Sequence, residues 1–204
     1  MDETIRYYDA HAAEYVRATR AADVHVLLDG FLEALRAAFP ELPARQCRIL
    51  DFGCGSGRDA RYFLERGYAV SALDGSEELC RAAAAYTGLA VKHCRFQEFE
   101  EASGYEGIWA CASILHLTRA ELPDVLRRAA DALVPGGVFY TSFKYGRGER
   151  DAAGRHYTDL TEESAAELLQ AVPEFRVQKM WVTGDVLPGR ESQRWLNLIA
   201  VKQA

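Results

Sequence analysis

The 204 residues carry 30 acidic against 24 basic side chains, a formal charge of −6, and 49% of them are hydrophobic. That length fits one domain burying roughly 70% of its unfolded surface, and the acidic balance argues against a general nucleic-acid or anionic-membrane binder. No apolar stretch approaches the roughly 20 residues that span a bilayer, and the five cysteines, scattered without CxxC spacing, argue against a disulfide framework or a zinc knuckle.

Residues 2–17 and 24–38 read as two helices. Their opening, MDETIRYYDAHAAEY, is acidic and aromatic, unlike a secretory leader, and the expected home is a reducing cytoplasm. RILDF (48–52) is the first predicted strand, followed by a helix through GRDARYFLERG that stops at Gly67. YAVSALD (68–74) is the second strand, and SEELCRAAAAYTG (76–88) a helix opened by Ser76 and closed by glycine. LAVKHCRF (89–96) and GIWACASIL (107–115) are the third and fourth strands. RAELPDVLRRAADAL (119–133) is helical, and PGG at 135–137 turns the chain into a fifth strand, VFYTSF (138–143). Such alternation implies a parallel sheet with helices on both faces. Residues 144–160 read as a long loop, and LTEESAAELLQAV (160–172) as a helix capped by Thr161. EFRVQKMWVTGDV and RWLNLIAVK leave no room for a helix between them, so they pair antiparallel. The expectation is a doubly wound sheet of seven strands, five parallel and then an antiparallel C-terminal hairpin.

Gly53, Gly55 and Gly57 stand between the first strand and its helix. Residues without Cβ tolerate positive φ and let a ligand reach the main chain. A helix N-terminus offers free N–H groups, and ligands of doubly wound sheets lie beyond the carboxyl ends of the strands. A dinucleotide fold wants G-x-G-x-x-G; here the spacing is G-x-G-x-G, with Arg58 in the sixth position. Asp51 would repel a pyrophosphate and welcome an ammonium group. Asp74, ending the second strand, suits two ribose hydroxyls. Together the two acids fit an adenosine that bears an amino acid. The five histidines form no HxxxH or HxH pair, so no metal site is expected.

ILDFGCGSGRDARYFLERGYAVSALDGS resembles the first two motifs of Rossmann-like (class I) S-adenosylmethionine-dependent methyltransferases. YEGIWACASILHL is similar to their fourth-strand motif and ALVPGGVFYTSF to their fifth strand, so the likeness covers about residues 48–143. GCGSGRD and YYDAHAAEY look most like the small bacterial tellurite-resistance-like branch. The resemblance implies S-adenosylmethionine as cofactor. It puts Asp51 near the methionine ammonium, Gly53, Gly55 and Gly57 against the methionine and ribose, and Cys54 on the loop. It puts Asp74 on the ribose hydroxyls, Gly75 and Ser76 beside adenine, and Ser113 at the methionine. The family's acidic adenine partner is missing from CRFQEF; Gln97 could substitute through its amide, or Phe96 could stack.

Substrate contacts are expected from Tyr7, Tyr8 and Tyr15 and from the basic residues Lys144, Arg147, Arg150 and Arg155. Long irregular connections are usually functional or disordered, so the 144–160 segment reads as a lid whose cations receive a small anionic substrate; solvated loop charges are the alternative. His116, His156 and Tyr157 are the catalytic candidates, although His116 could equally be a half-buried packing residue. Alignment alone supplies about 7–11 kcal/mol in such reactions, and a base helps only when the nucleophile arrives protonated. The expected organisation is one domain: a helical cap (1–40), a cofactor core (48–143), the lid (144–160), then a helix and hairpin (161–204). The expected function is methyl transfer to a small-molecule acceptor, with no nucleic-acid or membrane partner. A non-catalytic S-adenosylmethionine-binding sensor or subunit is the alternative; an NAD-dependent oxidoreductase is disfavoured by Asp51, Arg58 and the closing hairpin. Oligomeric state is not legible.

Overall fold

The computed structural model describes residues 2–203. Two helices come first: α1 (Asp2–Arg20), with non-helical backbone at His11, and α2 (His25–Ala38). The alternating core follows as β1 (Arg48–Phe52), α3 (Arg58–Glu65), β2 (Ala69–Asp74), α4 (Glu77–Thr87) and β3 (Lys92–His93), then β4 (Tyr105–Ala110), α5 (Leu122–Ala132) and β5 (Leu133–Lys144). β6 (Gly148–Ala152) and β7 (Arg155–Asp159) form a separate hairpin. α6 (Glu162–Gln170), β8 (Phe175–Gly184) and β9 (Arg194–Lys202) complete the chain.

The main sheet has the order β3-β2-β1-β4-β5-β9-β8. β1 to β5 are mutually parallel, and β9 runs antiparallel to both β5 and β8. The strand order reverses between β1 and β4, which opens a crevice beyond their carboxyl ends. Successive strand residues face opposite ways, and both faces are covered, hence the nearly continuous apolar runs. Leu50, Phe52, Ile108 and Phe139 face one core with α5 and α6. Ile49, Trp109, Val138 and Tyr140 face the other with α2 and α3. α2 buries Leu28, Phe31, Leu32 and Leu35 in that second core. The helical cap therefore reduces to α1.

The seven-strand sheet and its antiparallel ending agree with expectation; several boundaries differ. The third strand shrinks to Lys92–His93 because a 3₁₀ turn at Phe96–Glu98 carries the chain away from the edge. β4 ends at Ala110, since Ala112 takes φ 49° and Ile114–His116 coil into another 3₁₀ turn. β5 begins earlier than VFYTSF: Leu133 already pairs with Tyr105 before the register shifts. The largest difference lies at 144–160, where the expected loop is the β6–β7 hairpin. Its turn residues, Ala153 (φ 49°) and Gly154 (φ 75°), both have positive φ, the signature of a two-residue turn matching strand twist. Arg150 bonds Asp159 across the strands at 2.8 Å.

Candidate active site

The crevice holds a narrow cleft of about 60 Å³ beside a cavity of about 460 Å³. The two spaces share Tyr8, Tyr15, Gly53, Ala112 and His116. Gly53, Gly55, Asp74, Gly75, Ser76, Phe96 and Ser113 line the cleft, all of them expected cofactor residues.

The glycine loop is fixed from beneath. Asp51, 2% exposed, accepts the Ala60 N–H at 3.0 Å and so ties the end of β1 to the first turn of α3. Burial, reinforced by the neighbouring Asp59 carboxylate, pushes its pKa up. Asp74 accepts the Gly55 N–H at 2.8 Å on one oxygen and the Ser76 N–H at 2.9 Å on the other. Each oxygen keeps a second lone pair, which is what a pair of vicinal hydroxyls requires. Ser76 caps α4 by accepting the Leu79 N–H and donates to Asp9 of α1 at 2.6 Å. A Cβ on Gly53 would lie 2.5 Å from Ser113 Cβ and 2.9 Å from Phe96 Cζ, so the loop seats directly against two cleft walls. Phe96 packs on Phe52 with ring centroids 4.7 Å apart. The bare-backbone cradle, the doubly anchored carboxylate and the aromatic wall fit an adenosine carrying an amino acid.

Several expected assignments change, beginning with Asp51, which lies outside both spaces. Gly57 lines neither space: it has φ 76°, and a Cβ there would meet Ala83 and Thr87 of α4 at 3.1 Å. Its role is close packing of α3 on α4. Gln97 also points elsewhere, donating to Glu121 at 2.9 Å, because adjacent residues of the 3₁₀ turn diverge; the aromatic wall is Phe96. His156 directs its ring outward to Asp151 (3.0 Å) and Glu149 (3.3 Å). Its carbonyl, not its imidazole, reaches the site.

That carbonyl accepts from His116 Nδ1 at 2.6 Å. His116 Nε2 therefore stands as an acceptor, facing the Tyr8 hydroxyl at 2.8 Å. Burial, aided by Arg155, lowers the His116 pKa to about 4, so the ring is neutral. Burial raises the Tyr8, Tyr15 and Tyr157 phenols. Tyr157 lies on the cavity floor with Lys144 Nζ 4.8 Å and the Arg150 guanidinium 4.6 Å from its ring. Arg155 lies over Tyr7 (4.4 Å), Tyr157 (5.5 Å) and Tyr8 (5.8 Å). Its buried Nε has no hydrogen-bond partner among the described residues. Tyr7 itself lies outside both spaces, stacked on His11. Cys54 lines the cavity with a thiol that burial pushes up.

Sequence reasoning missed part of the wall. Arg190 and Gln193 enter from the β8–β9 connection and Trp195 from the start of β9. Asp185 holds that connection, accepting from Trp195 Nε1 at 3.0 Å and Leu187 N–H at 2.8 Å. Arg58, which also lines the cavity, is neutralised by two bonds to Asp59, at 2.6 and 3.0 Å. Among the described residues no cluster of three or more His, Cys, Asp or Glu could hold a metal, and no helix is long and apolar enough to cross a membrane.

Residues 49–137 match the methyltransferase-domain family. Over 56 residues, 26% of the chain and 21% of the relative, the sequence is 45% identical to trans-aconitate 2-methyltransferase of Streptomyces avermitilis. Over 116 residues, 53% of the chain and 52% of the relative, it is 33% identical to N-terminal Xaa-Pro-Lys N-methyltransferase 1 of Rattus norvegicus. The match thus spans about half or less of these curated relatives. The crystal structure of Burkholderia thailandensis 1,6-didemethyltoxoflavin-N1-methyltransferase, with 1,6-didemethyltoxoflavin and S-adenosylhomocysteine bound, superposes with a TM-score of 0.65 at 26% identity, over 94% of this chain and 90% of that one. The fold, and the match over residues 49–137, are those of Rossmann-like (class I) S-adenosylmethionine-dependent methyltransferases, and both support S-adenosylmethionine as the cofactor. The narrower likeness to tellurite-resistance-like enzymes stays an expectation of the sequence.

Proposed function

We propose that this chain transfers a methyl group to a small, negatively charged acceptor held in the 460 Å³ cavity. The observation that carries the reading is that this cavity and the cofactor cleft share Tyr8, Tyr15, Gly53, Ala112 and His116 as lining residues. Its size lies within the roughly 300–1,000 Å³ usual for small-molecule sites. Lys144, Arg150, Arg155 and Arg190 line it, and burial together with Arg150 and Arg190 pushes the Lys144 pKa down, the mark of crowded positive charge. An anion relieves that crowding. The Streptomyces relative, named for trans-aconitate, also acts on an acid anion.

S-adenosylmethionine, when bound, supplies an activated methyl group together with its leaving group. Asp74 would hold the ribose, Phe96 the adenine, and the Gly53–Gly55 backbone the methionine end. Tyr8 and Tyr15 form the neck through which the acceptor faces that end, and their rings exclude water there. The protein's contribution is alignment, worth about 7–11 kcal/mol in well-positioned reactions.

Calorimetry with S-adenosylhomocysteine, followed by a metabolite panel scored for its release from S-adenosylmethionine, tests the reading. Cofactor binding without turnover on any acceptor would leave a sensor instead. In the double variant Arg150→Glu, Arg155→Glu, acceptor affinity should fall while S-adenosylhomocysteine still binds; unchanged acceptor affinity would refute the anionic site.

A further inference from the structure

We propose that the acceptor is an amphiphile, with its anionic group held at the β6–β7 hairpin and an apolar limb laid against the start of α2 and the β8–β9 connection. The proposal deepens the proposed function and rests on it.

The cavity has walls of different charge. Its cations gather around the Tyr157 ring, with Lys144 Nζ 4.8 Å from the ring centre and the Arg150 and Arg155 guanidinium groups at 4.6 and 5.5 Å. Arg190 adds to the positive charge that pushes the Lys144 pKa down, and Arg155 extends that charge to Tyr8, 5.8 Å away. The wall made by the end of α1, the link to α2 and the first turn of α2 is unlike this. It presents Thr19, Ala22, Asp23, Val24, Val26 and Leu27, without a cation among them. Its ionisable group is the Asp23 carboxylate, which accepts the His25 N–H at 3.0 Å and lies 3.2 Å from the His25 ring nitrogen. The Arg58 guanidinium, which also lines the cavity, is offset by Asp59. An anionic group set against this wall would meet a carboxylate of its own sign. The hairpin is the end that accepts it.

The apolar residues on the α2 wall are not there for the core. α2 turns Leu28, Phe31, Leu32 and Leu35 inward, the i, i+3, i+4, i+7 stripe of a helix packed on one face. Val26 falls off that stripe and stays 86% exposed. The β8–β9 connection brings Val186, 49% exposed, and Leu187 to the same cavity. That connection is shaped by polar bonds, the Asp185 N–H to the Gln193 carbonyl at 3.1 Å and the Leu187 N–H to the Asp185 carboxylate at 2.8 Å. Nothing in its turn requires an exposed valine. Single exposed apolar residues are ordinary. Here two from distant parts of the chain line one cavity, beside Val24 and Leu27. A concave apolar surface next to a cluster of cations complements a ligand with both characters. A wholly polar anion would occupy the hairpin end and leave this surface in water. Each methylene that the surface takes from water strengthens binding by up to about four-fold.

The test uses the full chain loaded with S-adenosylhomocysteine, titrated calorimetrically with ethanesulfonate, butanesulfonate and hexanesulfonate. This series keeps the anion constant and lengthens the apolar limb. Hexanesulfonate should bind at least about ten-fold tighter than ethanesulfonate. In the double variant Val26→Ser, Val186→Ser, at two exposed positions, that ratio should fall to about three-fold or less. S-adenosylhomocysteine calorimetry on the same variant reports whether it is folded. Equal binding of the three sulfonates, as expected if the two apolar surfaces close on each other or receive a protein partner, would overturn the proposal and leave the proposed function standing. So would a ratio that survives both substitutions. Failure of every sulfonate to bind would overturn the proposal together with the anionic site on which it rests.

Discussion

The Tyr8 hydroxyl of α1 and the His116 ring that follows β4 meet at 2.8 Å, although 108 residues separate them in the chain. Because the carbonyl of His156 only accepts, it fixes the tautomer, and Tyr8 must donate inward. The lone pairs of the Tyr8 oxygen face the Arg155 guanidinium.

The neutrality of His116 has a pH signature. Its pKa is about 4 in the fold, against 6.5 for the ordinary side chain. Between those values the unfolded chain binds a proton that the native chain refuses, so stability falls as pH drops through 6.5 and levels off below 4. The full effect is roughly 3 kcal/mol. Denaturant titrations from neutral to acid pH should show this loss, and His116→Asn should flatten it.

The glycine loop separates two roles. Gly57→Ala should cost about 1–3 kcal/mol of stability through its positive φ and the contact with Ala83. S-adenosylhomocysteine affinity should survive in the folded fraction. Gly53→Ala should weaken both, because the new methyl displaces Ser113 and Phe96 from the cleft wall. Thermal unfolding paired with calorimetry distinguishes the two outcomes.

Asp74→Ala removes the acceptor of two backbone N–H groups along with the expected ribose contact. Hydrogen bonds to a charged group contribute about 1.5–3 kcal/mol each. Affinity for S-adenosylhomocysteine should therefore drop by about 100-fold or more. Asp74→Asn, which can still accept, should lose less.

Asp59 joins Arg58 to the indole N–H of fully buried Trp109, at 2.9 Å. Asp59→Ala strands a largely buried guanidinium and an indole donor, and should cost about 3 kcal/mol in chemical denaturation. Adding Arg58→Met should recover much of that loss; an Asp59→Ala variant as stable as the parent would disprove the coupling.

The skeleton was legible because its signals are local. The apolar run of β1 and the Ser76 and Gly88 caps of α4 appear in the sequence where the structure has them. Most of the residues that line the cleft are ones that the family resemblance implied. The hairpin was not legible, because β6 is five exposed residues, GERDA, with no apolar alternation, and its turn is Ala-Gly. Spacing alone could not separate Gly57, which packs helix on helix, from its ligand-side neighbours. Nor could it tell Phe96 from Gln97 in a tight turn. Arg190 and Trp195 were missed because their place depends on topology. Once β9 pairs with β5, Lys144 lies opposite Trp195, and the β8–β9 connection arrives at the ligand end of the sheet. The predicted antiparallel pairing contained that clue.

α1 touches both halves of the site. Asp9 accepts from Ser76 beside the cleft, while Thr4 accepts the His156 N–H at 3.0 Å from the hairpin. A displacement of this helix would therefore disturb both halves of the site together. One segment that contributes no strand to the sheet thus braces the cleft and the hairpin at once.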